Sequence, residues 1–381
     1  MRARERAMHQ TKNRSRLAIA VAVALPIVVA CQSRGNAPSP TQSAAAITGA
    51  PSASTVVPPL PPLPPLPEAP SALGSLGSPK ENPPTPQKVR LGNLLFFDSR
   101  LSVDGTKSCY SCHDNADGTG GHDPVAVGAK GQKLTRHAPI MWNVAYLPKL
   151  YWDGRSDSLE AQMKGAWSGG NMGVGQDGLA AKAKEMGDLP EYKALFAAAF
   201  PGDGATPDTI AKAVASYERT LFCGDTAFDK FSAGDKTALS DDQKKGLALF
   251  SGKAGCNACH TLPFFSDAYT AEQGAFHNVG IGTKVKPESD VDPGRAKVTK
   301  NDSDWAAFKT PTLRNITRSA PYFHDGSVST LEEAVRTMAT GGIPNKNRDP
   351  KLTDKKLKKD EIASLVAFFG ALECRGVIAQ P

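Results

Sequence analysis

Cys109-Tyr110-Ser111-Cys112-His113 and Cys256-Asn257-Ala258-Cys259-His260 are the stretches of this 381-residue chain whose residue types and spacing can do chemistry together. Two thiols separated by two residues, followed at once by an imidazole, form the attachment pattern of a c-type haem. The thiols bond to the porphyrin's vinyl groups, and the histidine is placed beneath the ring to ligate iron. A single pentapeptide of this kind also reads as half of a zinc site. Two of them, 147 residues apart in a chain with an export signal, favour two covalent haems.

That export signal occupies residues 1–30. Six basic residues, Arg2, Arg4, Arg6, Lys12, Arg14 and Arg16, precede an apolar run from Leu17 to Ala30 that is short for a membrane span. Val28-Val29-Ala30-Cys31 resembles the lipobox of bacterial lipoproteins, which makes Cys31 the lipidated N-terminus of the mature chain. The other reading is an ordinary signal peptide beside an unrelated cysteine. Either way the chain enters a compartment where disulfides persist. Of seven cysteines, one goes to lipid and four to haem, leaving Cys223 and Cys374. They are either two separate buried thiols or a disulfide closing a loop of roughly 150 residues, which the chain-entropy reckoning values at about 5 kcal/mol. The net charge of +7 falls to +2 once the first thirty residues, with a surplus of five, are removed, so nothing points to nucleic acid.

The elements that must position the two motifs follow from local pattern. Residues 31–86 are a Pro/Ala/Ser-rich linker centred on Pro58-Pro59-Leu60-Pro61-Pro62-Leu63, a disordered stalk with polyproline character. Folded sequence is expected from Gln87. Val89, Leu91, Leu94, Leu95 and Phe96 suggest a short helix before the first motif, and a Gly- and Asp-rich loop runs from Asp114 to Gly131 after it. Ile210, Val214, Tyr217 and Leu221 share a helix face within Thr209–Phe222. Ser240-Asp241-Asp242-Gln243 is a capping box ahead of the second motif. Thr330 reads as the N-cap of a helix carrying Leu331, Val335 and Met338, and a last helix spans about Asp360 to Leu372. Strand signals are weak. The expected fold is mainly α, with two cytochrome-c-like domains at 87–222 and 223–381, each with one covalent haem.

Over residues 88–372 the chain resembles the bacterial di-haem cytochrome c peroxidases and their relative, the di-haem enzyme that matures methylamine dehydrogenase. The phrases that carry this are Leu94-Leu95-Phe96-Phe97-Asp98-Ser99-Arg100-Leu101-Ser102, Trp152-Asp153-Gly154-Arg155, Tyr217-Glu218-Arg219-Thr220-Leu221, Pro311-Thr312-Leu313-Arg314-Asn315 and Ala320-Pro321-Tyr322-Phe323-His324-Asp325-Gly326. The resemblance implies that the His260 haem stores an electron, with Met338 as its second axial ligand, and that the His113 haem meets hydrogen peroxide. The maturation enzyme has tyrosine at the Met338 position, so Met338 argues for the peroxidase branch. Trp152 matches a tryptophan between the haems, a stepping stone for electrons. A calcium ion between the haems is implied at His137, Ser319 and Pro321, but His137 stands where the family has asparagine, and imidazole is a softer ligand than an amide oxygen. The electron donor is expected to be a small cytochrome c or copper protein. The family commonly forms homodimers.

Two departures concern the first haem. Many relatives carry a histidine 16 residues after the proximal one; here that position is Ala129, and His122 and His137 match neither its place nor its phrase, which implies an open coordination site. On the distal side Gln162 is present, but the glutamate expected before Met-Gly is replaced within Gly169-Gly170-Asn171-Met172-Gly173. Asn171 takes its place if one residue is deleted, Met172 if none is, and neither carries a proton. Glu160 and Asp177 are the alternative acids. The leading expectation is a peroxidase, periplasmic and lipid-anchored to the outer membrane. The alternatives are a di-haem oxidase that modifies a protein partner and a non-catalytic di-haem electron carrier or sensor.

Overall fold

Thr85 accepts a hydrogen bond from the Lys88 amide and Pro86 fills the first helical position, which starts α1 at Pro86–Phe97. This computed structural model describes residues 62–381; the signal segment, Cys31 and the first part of the linker lie outside them. Helices α2 (Leu159–Ser168), α3 (Leu179–Asp188), α4 (Pro190–Ala199) and α5 (Pro207–Glu218) complete the first half. The second half has α6 (Ala227–Ser232), α7 (Asp241–Ser251), α8 (Ala296–Thr299), α9 (Leu331–Ala339) and α10 (Lys359–Gly370). Two-residue strands, β1 (Phe276–His277) and β2 (Phe308–Lys309), pair antiparallel. The protein is mainly helical. Among the described residues no helix is long and apolar enough to cross a membrane.

Each half is built on one crossed helix pair, and in both a glycine permits the approach. A Cβ on Gly92 of α1 would stand 1.9 Å from the Ala213 carbonyl oxygen of α5. A Cβ on Gly246 of α7 would stand 2.0 Å from the Ser364 carbonyl oxygen of α10. Around the first pair pack Leu91, Leu95, Phe96, Trp167, Ile210 and Val214. Around the second, Phe228, Phe250, Phe265 and Phe368 meet mostly edge to face, with ring centres 4.9 to 6.0 Å apart. Each fully buried phenylalanine contributes about 1.5–3 kcal/mol of burial energy.

The boundaries differ from those expected at both ends. Residues 70–85, assigned to the linker, pack on the body. Leu73 is buried with Phe264 and Tyr269, and the Asn82 amide donates to Glu160 (2.7 Å) and to the Lys212 carbonyl (2.9 Å). Proline-rich composition hid these two anchors. At the other end Cys374 and Ile378 belong to the first core. Cys223 and Cys374 are joined by a disulfide, and the Ile378 backbone exchanges two hydrogen bonds with the Asn115 side chain (2.8 and 2.9 Å). The chain thus returns to its first half before it ends.

Helices α2, α3 and α4 were not anticipated from sequence, although α3 buries Leu179, Ala183 and Met186 at steps of four and three. Its alanines and lysines give a weak apolar stripe. The helices begun by Thr330 and Ser240 start where their caps indicated.

Candidate functional site

Both motif histidines are aimed by the same device. The Nδ1–H of His113 donates to the Thr119 carbonyl at 2.9 Å, and that of His260 donates to the Phe265 carbonyl at 2.9 Å. A carbonyl can only accept, so the proton sits on Nδ1 and the Nε2 lone pair is left for a metal. Burial pushes both imidazoles below their ordinary pKa, which keeps them neutral, as ligation requires. Cys109, Cys112, Cys256 and Cys259 take no part in a disulfide. Burial raises the Cys109 and Cys112 thiols above their ordinary value and Cys256 to about 11.

Beside the second motif lies an apolar cavity of about 240 Å³, lined by Cys256, Cys259, His260, Met338, Leu365 and Phe369. Leu331, Ala334, Val335 and Met338 all line it, at steps of three, one and three, so one face of α9 forms a wall. Lys309, Lys351 and Lys355 stand on its boundary. Burial alone pushes the Lys309 ammonium down to about 8, with no acidic side chain pulling it back. Thiols, an aimed imidazole, a thioether, apolar walls and an uncompensated buried cation fit a haem with its propionates. The same cavity reaches Trp152, His137, Ser319 and Pro321.

Trp152 stands at the junction of the halves. Its carbonyl accepts from Lys309 N (2.7 Å) and its indole N–H donates to the His137 carbonyl (2.8 Å). His324 stacks on Phe308 with centres 3.6 Å apart and meets Trp152 edge-on at 6.4 Å. His324 and Phe308 were not singled out from sequence, since their stack forms only when β2 and the loop after Tyr322 come together. The residues implied for calcium do not fit a calcium ion. Calcium takes six to eight hard oxygens. The His137 ring is buried at 5% exposure and donates from Nδ1 to the Asp123 carbonyl at 2.8 Å. Burial lowers its pKa, while hydrogen bonding to the backbone of Asp123 and Ser319 opposes that.

The residues expected around the first haem are less uniform. Gln162 is half-buried on α2, where its carbonyl accepts from the Tyr151 hydroxyl (3.0 Å). Asn171 is half-buried, and its carbonyl accepts from Ala129 N at 3.0 Å. Gly128 N also donates to the Gln132 carbonyl (2.8 Å), so the Ala129 loop is a closed turn. His122 is exposed beside Asp117. Glu160 is bound by Arg219 (2.7 and 3.0 Å) as well as Asn82. Despite the upward push of burial, these partners hold its carboxyl below the usual range, so it is a poor proton donor. Asp177 is exposed.

Glu218 is the acid that sequence reasoning missed. It is 4% exposed, one carboxylate oxygen has no hydrogen-bond partner, and its charge is felt by Cys109 and Tyr151. Burial pushes it up to about 8; Arg219 pulls downward and Glu160 pushes upward. At neutral pH it holds a proton. Its place at the end of the regular α5 pattern, next to the paired Arg219, was the available signal.

Residues 86–237 match the family described as di-haem cytochrome c peroxidase. The chain is 37% identical over 321 residues to cytochrome-c peroxidase IdrP1 of Denitromonas iodatirespirans, covering 77% of this chain and 83% of that protein. It is 36% identical over 299 residues to the methylamine utilization protein MauG of Methylorubrum extorquens, covering 77% and 80%. The chain belongs to the di-haem cytochrome c peroxidase family. Membership implies two c-type haems. Among solved structures, a MauG-like protein associated with microbial copper homeostasis superposes with a TM-score of 0.74 at 29% identity, covering 82% of this chain and 96% of that one.

Several family phrases prove to be architecture. Arg314 is fully buried and bidentate to Asp229 (2.8 Å twice), with the Pro263 carbonyl as third partner (2.7 Å). Asn315 has φ 65°, and its side chain reaches Gly118 of the first half (3.0 Å) and Cys374 N (3.2 Å). Arg155 pairs with Asp153 and lies 3.4 Å over the Tyr151 ring.

Proposed function

We propose that this protein is a periplasmic di-haem peroxidase that reduces hydrogen peroxide to water with electrons from a small cytochrome c or copper protein. The observation that carries this is Met338 on the wall of the cavity that holds His260. A thioether and an imidazole sharing one cavity suit a closed electron-storing site, since thioether ligation raises the potential of a haem. His113 has no such partner at Ala129, whose loop is closed by its own backbone bonds. The second motif, with Cys256, Cys259 and His260, is therefore the electron store, and the first, with Cys109, Cys112 and His113, the peroxide site, each in a cytochrome-c-like domain.

Bound haems supply redox-active iron at both sites. The chain's part at the first is to move protons and exclude water. Gln162 offers an amide to orient peroxide. Asn171 orients but carries no proton, and Glu160 is held ionised by Arg219. We assign the proton-holding role to Glu218, the buried carboxyl beside Cys109 and Tyr151. Trp152, held at both its carbonyl and its indole nitrogen, lies between the two sites as the electron's stepping stone. The export signal and Cys31 favour a periplasmic enzyme on an outer-membrane lipid anchor, with the Pro/Ala/Ser-rich linker as its stalk; a homodimer follows the family habit.

The absence of the usual glutamate favours a second reading, an oxidase acting on a protein partner. Visible and EPR spectra of the oxidised and half-reduced protein, followed by peroxide with reduced cytochrome c, test both. The expected result is a high-spin haem and peroxide-dependent oxidation of the cytochrome. A high-spin haem that reacts with peroxide but leaves the cytochrome reduced points to the partner oxidase. Two low-spin haems and no turnover leave an electron carrier or sensor.

A further inference from the structure

The junction between the halves is organised on one residue whose ring and backbone are all engaged. His137 N donates to the His324 carbonyl (2.7 Å), its carbonyl accepts from the Trp152 indole (2.8 Å), and its Nδ1–H donates to the Asp123 carbonyl (2.8 Å). Those partners come from the loop after the first motif, from the tryptophan loop, and from the second half. The ring also faces the Ser319 backbone, and Ser319 is itself 4% exposed. The Asp123 and Ser319 backbone that meets the ring needs either a cation or an N–H donor to compensate its carbonyl dipoles. An ion would have to displace a ring already hydrogen-bonded to one of the carbonyls.

We propose that the His137 imidazole stands in for a metal ion at this junction, so that the two halves and the Trp152 indole are held without calcium. His137 is a positioning residue here: it touches Trp152 through its own carbonyl, and its ring fixes where that carbonyl lies. The nearby carboxylates pair with another ring: Asp117 lies 3.0 Å and Asp123 3.6 Å from the exposed His122 imidazole. The inference does not rest on peroxidase activity.

The test uses the full holoprotein, dialysed first against a calcium chelator and then against calcium chloride. Bound calcium is counted by elemental analysis, and the melting temperature and visible spectrum are recorded in both states. The wild type is expected to bind no stoichiometric calcium and to show the same spectrum and melting temperature throughout. His137→Asn, which removes the ring and adds an amide oxygen, is expected to melt lower in chelator and to recover on adding calcium, because a ligand that binds only the folded state stabilises it. If His137→Asn does not fold, His137→Gln is read in the same way. One calcium per wild-type chain, removable with a change in spectrum or melting temperature, overturns the proposal. So does a folded variant that calcium leaves unchanged, since no cation position would then have been replaced.

Discussion

The two Cys-x-x-Cys-His sites are alike beneath the ring and unlike everywhere else. Both histidines hand Nδ1–H to a backbone carbonyl at 2.9 Å, five or six residues on. This device is local, so a short segment sets it whatever the surrounding fold. The environment beyond is supplied by distant elements. The second motif faces an apolar wall of α9 with Met338, and three lysines line the same cavity. The first has a buried, protonated carboxyl in Glu218 and a histidine-free, backbone-closed loop at Ala129. One attachment chemistry thus yields two unequal sites, with the inequality written in tertiary packing.

The comparison breaks most severely if the halves come apart. Replacing Cys223 and Cys374 with serine should cost about 5 kcal/mol, and a calorimetric scan should show one lowered transition or two separate ones. A single transition that does not move means the tail and Asn315 suffice as the clasp. Arg314→Ala strands Asp229 among buried groups and should cost about 3–5 kcal/mol, seen as a lower denaturant midpoint. Since Arg314 packs the second core, early loss of the His260-haem spectrum with the His113 haem intact would sharpen the division.

Glu218 tests the first site alone. Its pKa rises from 4.5 to about 8 in the fold, so the folded state keeps a proton that the unfolded chain gives up. The stability this contributes is complete below about 4.5 and is lost as pH rises through about 8. Glu218→Gln removes that slope. Its stability relative to wild type should climb across the window by an amount on the order of 4 kcal/mol, measured as melting temperature against pH. Peroxide turnover should fall and lose its pH dependence there; an unchanged profile excludes Glu218 as the proton holder. The smallest effect is confined to the second site: Met338→Ala should lower one reduction potential by on the order of 0.1 V and leave the other in place. A shift of both in spectroelectrochemistry would contradict the assignment.

What the sequence disclosed follows the range of the forces involved. The motifs and the caps at Ser240 and Thr330 act within a few residues and were readable. Cys223 and Cys374 were legible as an even remainder and as a possible disulfide, which the structure bears out. Glu218 carries no local signal of its own, because its character depends on burial by elements far away in the chain. The stack of His324 on Phe308 and the engagement of His137 by Asp123 arise from loops more than ten residues apart, and no period announces them. Asn82 and Leu73 were concealed by proline-rich surroundings. Arg314 and Asn315 were recognised as a family phrase, yet their work is holding the chain together.

The return of the chain to its starting half bears on how the protein is handled in the laboratory. The Ala379 carbonyl accepts from the Asn93 side chain of α1 at 3.0 Å, two residues before the chain ends. A purification tag fused after Pro381 would therefore emerge against the first motif's own helix, although by sequence it is attached to the other half.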